Sequence, residues 1–130
     1  FKASGLHAME NVHFLGAKKP EELGQYLSFF DVALNPQAVN ELTIGNYPRK
    51  IDEYLAMGKP TVATPTRAME IFKDHVYLAE GPEGYAKAIQ EGLDSIGDQA
   101  VYEERIRFAQ SHSWENSVAA IWKAMQETEK

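Results

Sequence analysis

The stretch Pro48-Arg-Lys-Ile-Asp-Glu-Tyr-Leu-Ala-Met-Gly-Lys-Pro-Thr-Val-Ala-Thr64 sets one helix directly before one strand. Pro48 suits the first turn of a helix, where its fixed φ fits and its missing N–H costs nothing. The helix runs to Met57 and stops at Gly58, a residue that accepts the left-handed backbone of a helix end. Pro60-Thr-Val-Ala-Thr64 then reads as a strand closed by Pro65.

The same alternation continues in both directions. Upstream, Asp31-Val-Ala-Leu-Asn35 is a continuous apolar strand ended by Pro36. Before it, residues 19–30 carry Leu23, Tyr26, Leu27 and Phe30 at helical spacing, with Pro20, Glu21 and Glu22 in the first turn. Asn11-Val-His-Phe-Leu15 is a β-prone run closed by Gly16. Downstream come a short helix over 67–72, a strand over 76–79, and a helix opened by Pro82 with Tyr85, Ile89, Leu93 and Ile96 inward. Helices over 99–110 and 114–127 follow. The last has Ser113 as its N-cap and Trp114, Val118, Ile121, Trp122 and Met125 on one face. Tyr102, Phe108, Trp114 and Trp122 read as core. Strands that are apolar throughout belong to sheets covered on both faces. The reading is α/β, a Rossmann-like doubly wound parallel sheet.

Composition narrows the function. The 130 residues are 44% apolar and 25% charged, as in an ordinary globular domain. Thirteen Lys and Arg against nineteen Asp and Glu give a net charge of −6, which disfavours nucleic acid as a partner. No apolar run is long enough to span a bilayer. Without cysteine there is no disulfide, thiolate metal site or cysteine nucleophile. His7, His13, His75 and His112 are dispersed without ligand spacing, so no metal is expected. The chain opens Phe1-Lys-Ala-Ser-Gly with no initiator Met and no signal-peptide pattern, which implies a piece of a longer protein.

Ligands of open parallel sheets bind beyond the carboxyl ends of the strands. That rule promotes residues 16–19, 36–50 and 64–67. The connection over 37–47 exceeds the ~2–6 residues usual between strand and helix, and long loops are often functional. It carries Asn40, Glu41, Thr43 and Asn46. The next helix aims its amino end at the same crevice and would favour a phosphate there. Lys50 is a cation in the first turn, where the helix dipole disfavours it. Glu53, three residues on, shares its face and could accept hydrogen bonds from sugar hydroxyls. A solvated Lys–Glu surface pair has the same spacing.

Several of these segments together resemble a known family. Asn40-Glu-Leu-Thr, then Pro48-Arg-Lys50-Ile-Asp-Glu53-Tyr-Leu-Ala-Met-Gly58-Lys-Pro60-Thr-Val, is similar to the signature of the family-four glycosyltransferases of the GT-B fold. Asn11-Val-His-Phe-Leu-Gly16, Asp31-Val-Ala-Leu-Asn-Pro36 and Ser113-Trp114 resemble further family segments in the right order. The resemblance covers nearly the whole chain. It implies the carboxyl-terminal, nucleotide-sugar-binding domain of a hexosyltransferase that acts with retention, uses no cofactor and generally needs no metal ion. Glu53 matches the glutamate that binds the donor's ribose. Gly16 and Ala17 match the backbone beside the base. The loop with Glu41, Thr43 and Asn46 lies where the diphosphate and sugar are held, and Lys50 stands close to it. Gly45 occupies the place of a second family glutamate, eight residues before Glu53. No catalytic residue is assigned.

The family's sheet order, 3-2-1-4-5-6, makes 12–15 the third strand and pairs 32–35, 60–64 and 76–79 in sequence. Two preceding strand–helix units and the acceptor-binding amino-terminal domain are not in the chain. Residues 1–130 are therefore expected to be one partial domain, inactive alone, with 12–15 left as an exposed edge. The resemblance implies a carbohydrate or lipid-linked acceptor, a cytoplasmic location and peripheral membrane contact in the parent protein. No amphipathic basic helix in this stretch supplies such contact. Two other readings stay open: a nucleotide-sugar 2-epimerase on the same fold, and a degenerate, non-catalytic nucleotide-sugar-binding module. A receiver-like regulator is disfavoured because Asp31 opens its strand instead of ending it. A dinucleotide-binding unit is disfavoured because no Gly-x-Gly-x-x-Gly occurs.

Overall fold

The computed structural model describes residues 4–128. The helix read over 48–57 is α2 (Arg49–Ala56), with Pro48 at its N-cap, and Gly58 takes the left-handed φ of +66° that ends it. The three strands are β1 (Ala33–Asn35), β2 (Thr61–Ala63) and β3 (Tyr77–Leu78). They form one parallel sheet in sequence order, with Leu34 beside Val62 and Val62 beside Tyr77. Helices α1 (Pro20–Ser28), α3 (Gly81–Asp94), α4 (Gln99–Ser111) and α5 (Trp114–Thr128) complete the order. The segment Arg67–Phe72 winds as a 3-10 helix.

β2 is buried along its whole length, and its neighbours divide into two clusters. Ile51 and Leu55 of α2, Ala63, Met69, Phe72, Val76 and Ala109 of α4 make the larger one, with Tyr54 and Phe108 against it. Val62, Ala79 and Ala88 of α3 make the other, with Val32, Tyr85 and Ile89. This is the doubly wound arrangement, helices on both faces of a parallel sheet. Burying Ile51, Leu55 and Phe72 contributes about 1.5–3 kcal/mol each. Gly92 lets α3 approach closely, since a Cβ there would stand 3.3 Å from Pro60 and 3.4 Å from Val32. Its buried stripe therefore runs through Ala88 and Gly92, and Leu93 and Ile96 are exposed, contrary to the inward face read from spacing.

Two further expectations are corrected. Residues 11–15 form no strand: the chain is irregular from 12 to 19, and Phe14 is 49% exposed. A β conformation needs a ladder partner for its N–H and C=O groups. Among the described residues no strand pairs with this segment, which turns locally through Val12 N–H to Met9 O and stacks His7 on Phe14 at 4.0 Å. The apolar face of α5 is not core either. Ser113 caps it as read, Oγ accepting the Asn116 N–H at 3.2 Å, yet Trp114 is 77% and Trp122 62% exposed. Tyr102 is also exposed, whereas Phe108 packs on Phe72 as expected. Helical periodicity shows that a helix has an apolar face but not that the same chain covers it. Among the described residues no helix is long and apolar enough to cross a membrane.

At the amino end of the sheet, Arg105 of α4 is 4% exposed and closes the joints between elements. It donates to Gly58 O at 3.4 Å, Ser95 Oγ at 2.9 Å and Tyr77 Oη at 3.5 Å. Ser95 in turn donates to Gly92 O at 2.7 Å. The guanidinium thus sits at the carbonyl ends of α2 and α3, where a helix dipole favours a cation. Burial lowers its pKa from the ordinary arginine value, opposed by Tyr77 and then Asp98.

Candidate functional site

At the carboxyl end of β1 the chain enters the long loop, and much of the loop's polarity builds the loop itself. Asn40 Oδ1 accepts the N–H groups of Leu42 and Thr43 at 3.0 and 3.1 Å. Thr43 Oγ1 accepts from Asn40 N–H at 3.0 Å and donates to Ala38 O at 2.5 Å. These are local turns that Asn and Thr side chains make readily. Gln37 N–H donates to Thr64 Oγ1 at 3.0 Å, and Thr64 shares a 2.7 Å hydrogen bond with Tyr85, so the loop's start is fastened to the end of β2.

Two cavities open beside α2 and share Lys50. The first, about 270 Å³, is lined by Gly16, Lys18, Leu23, Tyr26, Phe30 and Tyr54 together with Lys50 and Glu53. Its walls are mostly apolar and its few polar groups converge, the usual constitution of a small-molecule site. The second, about 390 Å³, is lined by Asn35, Gln37, Asn46, Tyr47, Pro48, Arg49 and Lys50. Of the residues singled out from sequence, Gly16, Lys50 and Glu53 meet in the first cavity, and Asn46 joins Lys50 in the second. Glu41, Thr43 and Ala17 line neither; Glu41 is exposed and Thr43 is engaged in the loop. Gly45 faces open space, with no heavy atom within 4 Å of where a Cβ would stand.

The Lys50–Glu53 surface pair does not form. Among the described residues neither side chain, nor that of Arg49, lies within 4.0 Å of an opposite charge. Arg49 and Lys50 thus present two uncompensated cations at the amino end of α2. Sequence reasoning passed over Arg49, although a cation at a helix start is the signal that singled out Lys50. Tyr54, at the wall of the first cavity, has its pKa raised by burial and then by the Glu53 charge. Tyr47 donates its hydroxyl to Asp52 Oδ2 at 2.6 Å; burial, then this hydrogen bond and the Asp52 charge, push its pKa well above the ordinary phenol value.

Comparison with known proteins bears on what this arrangement belongs to. The chain is 30% identical over 112 residues to a protein of Bacillus subtilis (strain 168) that carries the provisional name of teichuronic acid biosynthesis glycosyltransferase TuaH. That alignment covers 82% of this chain but 28% of the relative. No solved structure matches. A family model, glycosyl transferases group 1, matches residues 2–95, which include all three strands, both cavities' lining residues and the long loop. With the parallel α/β sheet, that match shows that the chain belongs to the group 1 glycosyl transferases.

Proposed function

We propose that the chain is the donor-binding part of a hexosyltransferase that moves a sugar from a nucleoside diphosphate to an acceptor hydroxyl with retention of anomeric configuration. The observation that carries this reading is the meeting of Gly16, Lys50 and Glu53 at one apolar-walled cavity, where among the described residues neither Lys50 nor Glu53 has an opposite charge within 4.0 Å. Glu53 accepts hydrogen bonds from the ribose hydroxyls, and the backbone at Gly16 and Ala17 lies along the base. Lys50, Arg49 and the amino end of α2 meet the diphosphate, with Asn46 and the 41–46 loop toward the sugar. Charge developing on the departing diphosphate is then stabilised by groups already in place. The reading requires no cofactor and no metal ion, because two side-chain cations stand where the negative charge falls.

The acceptor binds to a part of the protein outside these residues, so the chain alone is expected to bind donor without transferring sugar. The name of the relative favours a polysaccharide or other glycan acceptor, and such acceptors place the work at the cytoplasmic face of the membrane. Product analysis tests the reading. The complete protein is incubated with UDP-, GDP- and ADP-hexoses, with and without a glycan acceptor, and products are followed by NMR of the anomeric proton. Acceptor-dependent transfer with retained configuration is expected. An altered free donor in the absence of acceptor would instead identify a 2-epimerase, and no change to any donor would identify a degenerate binding module.

A further inference from the structure

Asp52 precedes Glu53 on α2 but serves a different neighbour. Its Oδ1 faces Nδ1 of His112 at 3.3 Å, while Oδ2 accepts the Tyr47 hydroxyl at 2.6 Å. Oδ1 and Nδ1 are both buried, and neither has a hydrogen-bond partner. His112 is the C-cap that follows α4, directly before the Ser113 cap of α5. Phe72 and Phe108 hold its ring edge-on, with centroids at 5.9 and 4.5 Å. Asp52 is the one carboxylate within 4.0 Å of it among the described residues. A carboxylate oxygen and an imidazole nitrogen that face each other away from water repel unless a proton lies between them, which favours the tautomer with its hydrogen on Nδ1, turned toward Oδ1. The far end of this line is Tyr47, which walls the second cavity beside Asn46, Arg49 and Lys50 and rests against Phe72 at 5.7 Å.

We propose that Asp52 and His112 are positioning residues for the mouth of the candidate donor site: His112 fixes Asp52, Asp52 fixes the Tyr47 hydroxyl, and Tyr47 sets the loop that enters α2 beside Arg49 and Lys50. Neither Asp52 nor His112 lines the cavity, so both act through Tyr47. The relay links the site to the α4–α5 joint, which no adjacency in sequence connects. It depends on the donor-site reading only for what occupies the cavity.

Two substitutions separate positioning from packing. His112→Phe keeps an aromatic ring between Phe72 and Phe108 but removes the donor to Asp52. His112→Asn restores an N–H near the Nδ1 position but loses the ring. UDP, GDP and ADP are each titrated against the full wild-type chain and both variants, and thermal midpoints are measured alongside. For whichever nucleotide the wild type binds, affinity is expected to fall about 10-fold in His112→Phe and to stay near wild type in His112→Asn. A second readout needs no nucleotide: backbone amide shifts of residues 43–47, 49 and 50 move in His112→Phe and return in His112→Asn. Affinity that tracks the thermal midpoint in both variants, or amides of 43–47, 49 and 50 that ignore residue 112, would overturn the relay. If the amides respond as expected but no nucleotide binds the wild type, the relay holds and the donor-site reading is what fails.

Discussion

At the amino end of the sheet Arg105 directs its guanidinium to Gly58 O, Ser95 Oγ and Tyr77 Oη, and Lys59 donates to Ser28 O at 2.9 Å. At the carboxyl end Arg49, Lys50 and Glu53 stand around two cavities, with no opposite charge within 4.0 Å among the described residues. Both ends are rich in charge, and both border hollow space; a cavity of about 230 Å³ lies beside Arg105 and Lys59. What separates them is whether the charge is already answered from within the chain. A buried cation held by two helix ends is part of the framework, and removing it leaves buried acceptors without donors. Exposed cations that the helix dipole opposes gain nothing from the helix and, among the described residues, have no ion-pair partner. Cavity size alone would not distinguish the two ends.

The largest effect should come from the amino end. Arg105→Ala is expected to lower unfolding free energy by about 3 kcal/mol, read by urea denaturation. Nucleotide affinity of the molecules that stay folded should be unchanged. Lost affinity at undiminished stability would break the comparison. Gly58→Ala comes next, at about 1–2 kcal/mol. Its φ is +66°, and a Cβ would come within 2.2 Å of the Tyr102 ring, which must swing aside.

A smaller effect is expected at high pH from the carboxyl end. Tyr47 donates to Asp52 only while protonated, and its pKa in the folded chain is raised. The unfolded chain releases this proton first, at the ordinary value of about 10. Stability is therefore full below about pH 10 and falls as pH rises past it. Tyr47→Phe should flatten that slope in alkaline unfolding curves, with a residual slope from Tyr54, whose pKa is raised too. An unchanged slope would mean that the Tyr47–Asp52 hydrogen bond is not kept in solution. The smallest effect belongs to α5: Trp122→Ser should change stability by less than about 0.5 kcal/mol, because the side chain is 62% exposed.

What the sequence made legible follows from how local each cause is. The strands at 33–35, 61–63 and 77–78, the stop at Gly58 and the Ser113 cap all rest on runs, spacings or single backbone preferences, and each was readable. The run at 11–15 has strand composition, but among the described residues no strand pairs with it, and composition cannot supply one. The α5 stripe has core periodicity, but what covers it is not encoded in period. At the site, Lys50 and Glu53 were found by their places in one helix, and Gly16 by its place after a strand-like run and by resemblance to a family segment. The Asp52–His112 contact joins two helices far apart in the chain, and no spacing rule connects them. Thr43 looked free for a ligand because its partners, Ala38 O and Asn40 N–H, are backbone groups that a sequence does not display.

The central claim, that the unanswered charge beside α2 awaits a nucleotide, is tested most directly by calorimetry. UDP, GDP and ADP are titrated against the wild-type protein and Glu53→Ala, with unfolding curves for both. The account predicts that one nucleotide binds in the micromolar range, about −8 kcal/mol, and that Glu53→Ala weakens it by about 1–3 kcal/mol without moving the unfolding midpoint. A folded wild-type protein that binds none of the three would contradict it.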